Sequence, residues 1–100
     1  MMIGKFSDDA WVVVRSVESG VWLGQIVAWE GAIVTLTGAR RAHYWARGGS
    51  CSGLAVNGPG GDSRICPPVD ITAVLGVCEV NLASPQAVKA WLAYKPWSEA

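Results

Sequence analysis

Val21-Trp22-Leu23-Gly24-Gln25-Ile26-Val27-Ala28-Trp29, Glu30-Gly31 and Ala32-Ile33-Val34-Thr35-Leu36-Thr37 together form the stretch that decides how this chain folds. Both flanking runs are rich in β-branched and aromatic residues, and the two residues between them suit a tight hairpin because glycine tolerates positive φ. In the first run Val21, Leu23, Gln25, Val27 and Trp29 point one way, and Trp22, Gly24, Ile26 and Ala28 the other. Both faces are largely apolar, which predicts a strand covered on both sides. Gly24 in its middle predicts a bulge or sharp bend, the device by which a short sheet curls toward a barrel.

Outward from the hairpin, Trp11 to Ser16 reads as a preceding strand that leaves through Glu18-Ser19-Gly20, and residues 1–10 read as a loosely held arm. Gly38 breaks the third strand and Arg41 to Trp45 forms a fourth, so the meander spans 11–47. Residues 48–63 are a Gly- and Ser-rich loop with a helical turn or two between Ser50 and Val56, and Asn57-Gly58-Pro59-Gly60-Gly61 is loop. Further strands fall within 64–82, one at Arg64 to Cys66 before Pro67-Pro68 and a last one at Val74 to Val80. Ser84-Pro85 supplies an N-cap and a proline at the first helical position, and Ala87, Val88, Trp91 and Leu92 recur at helical spacing. A C-terminal helix within 84–95 follows, ended by Pro96. The expected fold is α+β and mainly β: a small curled antiparallel β-meander, SH3-like or half-barrel, with a short middle helix and a C-terminal helix in a single domain over 1–100.

Composition narrows the function classes. The chain is 51% hydrophobic and only 16% charged, with six tryptophans, which leaves little charged surface for a monomer. A homo-oligomer that covers some of these rings is expected. Formal net charge is zero, so the field needed to hold duplex nucleic acid is lacking. No apolar run is long enough to span a membrane and no secretion signal opens the chain, so the expected location is the cytosol. There Cys51, Cys66 and Cys78 stay reduced and act as small packing residues.

Chemistry concentrates in Arg40-Arg41-Ala42-His43-Tyr44-Trp45-Ala46-Arg47. Guanidinium groups suit phosphate oxygens, and Tyr and Trp faces suit a base. In an extended segment Arg41, His43 and Trp45 share one face, with Ala42 and Tyr44 on the other. The competing reading makes Arg40 and Arg41 a solvated turn and Tyr44 and Trp45 core or subunit contact. Gly49-Ser50-Cys51-Ser52-Gly53 has the look of a nucleophile elbow, but that device needs a large parallel sheet and an acid for the histidine, neither of which this chain supplies. No pairing of Cys or His at metal-ligand spacing occurs, no Lys-Ser or Lys-Thr follows the glycines at 58–61, and no cofactor is expected.

Ser19-Gly20-Val21-Trp22-Leu23-Gly24, Gly38-Ala39-Arg40-Arg41-Ala42-His43-Tyr44-Trp45 and Ser50-Cys51-Ser52-Gly53-Leu54-Ala55-Val56-Asn57-Gly58 together resemble a family of short uncharacterised proteins of tailed phages and prophages. Its marks are Ala-Arg-Arg-x-x-Tyr-Trp and Ser-x-x-x-Leu-Ala-x-x-Gly, and the likeness covers about residues 11–82. Cys51 and Pro67-Pro68 depart from the pattern. The resemblance implies phage origin, and small oligomeric phage proteins that soak up nucleotide immune signals offer an analogy of function. The expected activity is therefore non-enzymatic sequestration of a phosphate-bearing nucleotide, of cyclic oligonucleotide or cyclic ADP-ribose type. Arg40, Arg41 and Arg64 would hold phosphate, Tyr44 or Trp45 would stack on a base, and His43, Ser50, Ser52 and Asn57 would complete the site. The alternatives are a protein-binding or structural accessory, and a nucleotide-degrading enzyme with His43 as general base.

Overall fold

A computed structural model describes residues 2–3, 6–7, 9–45 and 50–97. In chain order the elements are β1 (Met2–Ile3), β2 (Phe6–Ser7), β3 (Trp11–Ser16), β4 (Gly20–Glu30), β5 (Ile33–Tyr44), α1 (Cys51–Val56), β6 (Arg64–Ile65), β7 (Val69–Val74), β8 (Val77–Leu82) and α2 (Pro85–Ala93). The protein is mainly β, an antiparallel meander with a short middle helix and a C-terminal helix. Its principal sheet runs β6-β5-β4-β3-β8, and β7 pairs with the other half of β5.

The long hairpin forms, with Glu30 opposite Ile33 and Val21 opposite Ala42, so that its two-residue turn falls on Gly31-Ala32 rather than on Glu30-Gly31. The expected two-sided cover stops at Ile26: a register shift between Ile26 and Ala28 turns Trp29 to the Ile26 side instead of the Val21 side and leaves Val27 and Ala28 exposed. Gly24 sits where the register shifts, between the pairs Leu23↔Arg40 and Gln25↔Thr37. A Cβ built on Gly24 would come within 2.8 Å of the Leu36 Cβ, so the bend requires glycine there. Gly38 adopts φ 59° in this bulge and carries the strand through. The separate fourth strand expected after Gly38 is therefore the second half of β5.

Two-sided burial holds the sheet. Val12, Val13 and Val14 are each 0% exposed because consecutive residues enter different cores. Val12 and Val14 join Ile26, Val34, Leu36, Ala39 and Val74 inside the curl. Val13 joins Val21, Leu23, Ala42 and Ile65 under α1 and α2, which contribute Leu54, Ala55, Ala87 and Trp91. Burying such aliphatic side chains contributes about 1.5–3 kcal/mol each, and this double core is what a short chain has in place of size.

The meander turns back on itself at β8, which pairs with β3, the first strand of the curl. At that end Ser16 Oγ donates to the Leu75 carbonyl at 2.6 Å and accepts from the Ser19 amide at 3.0 Å. The Val77 amide donates to the Ala32 carbonyl at 2.9 Å. The expected single strand Val74 to Val80 is divided by Leu75-Gly76, with Gly76 at φ 67°. The expected loose arm contains the hairpin β1–β2, in which Ile3 lies opposite Phe6.

The helices are tied to one another by Ser84, the N-cap of α2. Its hydroxyl accepts from the Ala87 amide at 3.0 Å and donates to the Val56 carbonyl at the end of α1 at 2.7 Å. Of the six tryptophans, Trp91 is fully buried and the others are half-buried within one chain. The strongly exposed apolar groups are aliphatic instead, among them Val17, Ile71 and Leu82.

Replacing Gly24 by Ala should lower stability by about 1–3 kcal/mol, because the added methyl meets a fixed core atom. Urea unfolding of the purified variant measures this, with a lowered midpoint and an unchanged slope as the expected result.

Candidate functional site

The last residues of β5 leave the protein's interior through a second irregularity. Ala42 pairs with Ile65 and Tyr44 with Arg64, so His43 is an extra residue on its strand. Simple alternation would send Tyr44 inward beside Ala42. The bulge instead leaves both His43 and Tyr44 exposed while Ala42 remains buried. Beyond α2 the chain returns along β6, where the Trp97 amide donates to the Ile65 carbonyl at 2.9 Å.

These two segments meet in a cluster of rings and one cation. The His43 imidazole stacks on the Trp97 indole, with centroids 4.3 Å apart and planes inclined by 21°. The Arg64 guanidinium carbon lies 5.5 Å from the centre of the Trp97 ring and 5.8 Å from that of Tyr44. Both are cation–π distances. Arg41 is exposed two positions before His43, with its Nε 3.4 Å from the place a Cβ on Gly20 would occupy. The cluster thus combines π-faces with the Arg64 cation at the end of the sheet, while Arg41 leans toward Gly20 on the neighbouring strand β4. Trp97 belongs to the cluster and carries no signal of it in the sequence.

Arg40 does something else. It is 3% exposed and its Nε, Nη1 and Nη2 donate to the carbonyls of Cys66 at 2.9 Å, Trp91 at 2.8 Å and Ile65 at 3.3 Å. α2 has no basic residue in its own last turn, so Arg40 supplies from β5 the cation that the helix C-terminus lacks. Burial pulls its pKa below the ordinary value, against an opposing influence from Cys66. The assignment of Arg40 to a phosphate is corrected accordingly, since its donors are already committed to backbone.

The loop residues also lie apart from the rings. Ser50 caps α1, accepting from the Gly53 amide at 3.3 Å and sharing a 2.9 Å hydrogen bond with Ser52, and Asn57 is the C-cap. α1 packs on β3, β8 and α2. With strands about 4.8 Å apart, β6 is about 14 Å from β3. Trp45 packs against the helix-side core. Residues 46–49, including Arg47, lie outside the described residues.

Cys51 opens α1 but is buried, and burial is the main influence raising its thiol pKa, with Glu79 and Cys78 adding and Arg15 opposing. That is the reverse of what an elbow nucleophile requires. Among the described residues, no hydrogen bond or ion pair joins His43 to a carboxylate, and no group of three or more His, Cys, Asp or Glu could hold a metal. No helix among the described residues is long and apolar enough to cross a membrane.

A small, curled, mainly antiparallel domain with an Arg–aromatic cluster at one strand end is the class these features define. The chain belongs to the family described as Domain of unknown function (DUF6948), whose model matches residues 9–91. The matched span takes in Arg40, Arg41, His43, Tyr44 and Arg64 and stops before Trp97. Neither a curated protein nor a solved structure matches the chain.

Three outcomes are expected. Arg40→Met should cost about 2–4 kcal/mol in denaturant unfolding, because the Trp91 and Cys66 carbonyls lose their Arg40 donor and the Ile65 carbonyl keeps only the Trp97 amide, whereas Arg41→Met should stay within about 0.5 kcal/mol. Among the three cysteines of the native protein, a thiol reagent followed by mass spectrometry should modify Cys78, which is exposed, first. Cys51 should react only on unfolding. Its raised pKa also makes the native state prefer the protonated thiol, so stability should fall as pH rises past the ordinary thiol range, and Cys51→Ala should flatten that slope.

Proposed function

We propose that the protein is a non-enzymatic binder whose ligand surface is formed by Tyr44, His43, Arg64 and Trp97, with Arg41, exposed two positions before His43, as a second cation. The observation that carries this reading is the Arg64 guanidinium set against two aromatic rings, one of which is stacked on His43. Ring contact pre-orients the guanidinium, so less freedom is lost when it grips an anion. Tyr44 is 48% exposed and offers ring surface to a base, while Arg64 and Arg41 meet phosphate oxygens. The indole N–H of Trp97 has no hydrogen-bond partner among the described residues and is available as a further donor.

The ligand class is a phosphate-bearing nucleotide. On the resemblance to phage proteins, the biological setting is sequestration of a nucleotide immune signal, cyclic oligonucleotide or cyclic ADP-ribose in type, in the cytosol of the infected bacterium. Arg40, Ser50, Ser52 and Asn57 have no part in this version of the site.

A protein-binding accessory role has its own support. Val69 and Ile71 on β7 and Ile33 on β5 are 41%, 60% and 41% exposed, and Thr35 and Thr37 lie beside β7, with Asp70 exposed between Val69 and Ile71. A largely aliphatic sheet surface of this kind suits a subunit or partner contact.

Calorimetric titration with a panel of cyclic dinucleotides, cyclic trinucleotides and ADP-ribose derivatives decides between them. Sequestration requires saturable binding and recovery of intact ligand after heating. Trp97→Ala and Arg64→Ala should each weaken it at least about tenfold, a loss of about 1.4 kcal/mol, while Ile71→Ser leaves it unchanged. Absence of binding across the panel, together with Ile71→Ser altering the sedimentation of the protein, would replace this reading with the accessory one. Recovery of altered ligand would make it an enzyme.

A further inference from the structure

A groove of about 480 Å³ lies between the start of β3 and α2, lined by Asp9, Ala10, Trp11, Ala83, Pro85, Val88 and Lys89. It shares no lining residue with the aromatic cluster. Its size falls within the roughly 300–1,000 Å³ of small-molecule sites.

Its chemistry is of two kinds. Ala10, Trp11, Ala83, Pro85 and Val88 give apolar walls, and Asp9 and Lys89 add one charge of each sign. The carboxylate and the ammonium form no ion pair with each other, and neither side chain has a partner among the described residues. Both side chains are exposed, so each charge can meet a third species at the edge of the groove. Trp11 carries another unused group. The indole N–H groups of Trp22, Trp29 and Trp91 donate to the carbonyls of Ser19, Gly31 and Leu54, whereas that of Trp11 has no acceptor among the described residues.

The wall that carries Asp9 is held in place. Asp9 is the one non-glycine residue with positive φ among the described residues, at 72°. Its amide donates to the Ile26 carbonyl at 3.1 Å, and Gln25 Nε2 donates to its carbonyl at 3.0 Å. The surrounding structure thus fixes the left-handed conformation of Asp9.

We infer that this groove is a second binding site, for a small zwitterion with an apolar body, such as a short apolar peptide with free termini. Its ammonium faces Asp9, its carboxylate faces Lys89, and its apolar part lies on Trp11 and Val88. Complementarity of charge selects this ligand over a simple hydrophobe, which would leave both ions at the mouth unanswered, and over a nucleotide, which Asp9 would repel.

The test uses the intact chain and the dipeptide L-leucyl-L-phenylalanine, followed by amide chemical shifts. Saturable shifts at Ala10, Trp11, Ala83 and Val88 at millimolar dipeptide are expected. Acetylating its amine or amidating its carboxylate should each weaken binding about tenfold. Asp9→Asn keeps a residue tolerant of left-handed φ and should abolish discrimination against the acetylated form. Lys89→Met should abolish discrimination against the amide. Trp97→Ala should leave all of this intact, which separates the groove from the aromatic cluster. Absence of saturable shifts, shifts confined to other residues, or equal binding of free and capped dipeptides would overturn the inference.

Discussion

Everything distal in this protein depends on the guanidinium of Arg40. By donating to the carbonyls of Ile65, Cys66 and Trp91 it fastens β6 and the end of α2 to the middle of β5. A buried cation without a carboxylate is costly, and here the oriented carbonyls of a helix C-terminus and a short strand offset that cost. The consequence reaches the surface. With β6 fixed, its Ile65 carbonyl can receive the Trp97 amide, and the indole is thereby laid on His43. An arginine that touches no ligand in the proposed function still sets the geometry of the one that does.

Strand irregularity is the second constraint. A regular hairpin would keep one face toward the helices along its whole length. The bulge at Gly38 lets the end nearer Val21 lie under α1 and α2 while the other end pairs with β7 and leaves Ile33 in solvent. The bulge at His43 then turns two successive ring residues outward. Both devices redirect side chains without breaking the ladder, which is why they occur where the sheet changes neighbours.

The same devices explain what the sequence could and could not disclose. The hairpin at 21–37, the need for glycine at 24 and the Ser84-Pro85 helix start are local matters, written in alternation and capping chemistry, and they were legible. β5 was not read as one strand because Gly38 looks the same in sequence whether it ends a strand or bulges it. Val74 to Val80 is apolar except for Gly76 and Glu79, so it reads as one strand, and the turn there is fixed by Ser16 from far along the chain. Arg40 and Arg41 are adjacent and chemically identical. Only the tertiary position of α2 makes one a structural tie and leaves the other in water. Trp97 follows Pro96 beyond the last periodic segment, so nothing in its surroundings announced a stacking partner at position 43.

Tryptophan usage draws these strands together. Three indoles close their N–H groups on nearby carbonyls and serve as packing, as a buried ring with a polar edge must. Trp11 and Trp97 are half-covered and have no acceptor among the described residues, and they stand at the groove and at the aromatic cluster respectively. A chain with few charges can offer a ligand little beyond rings and single ions. Its unsatisfied donors are then better guides to a site than its count of charged residues. In a fold whose two cores occupy both faces of the sheet, such donors survive only at strand ends and helix margins, and both proposed sites are found there.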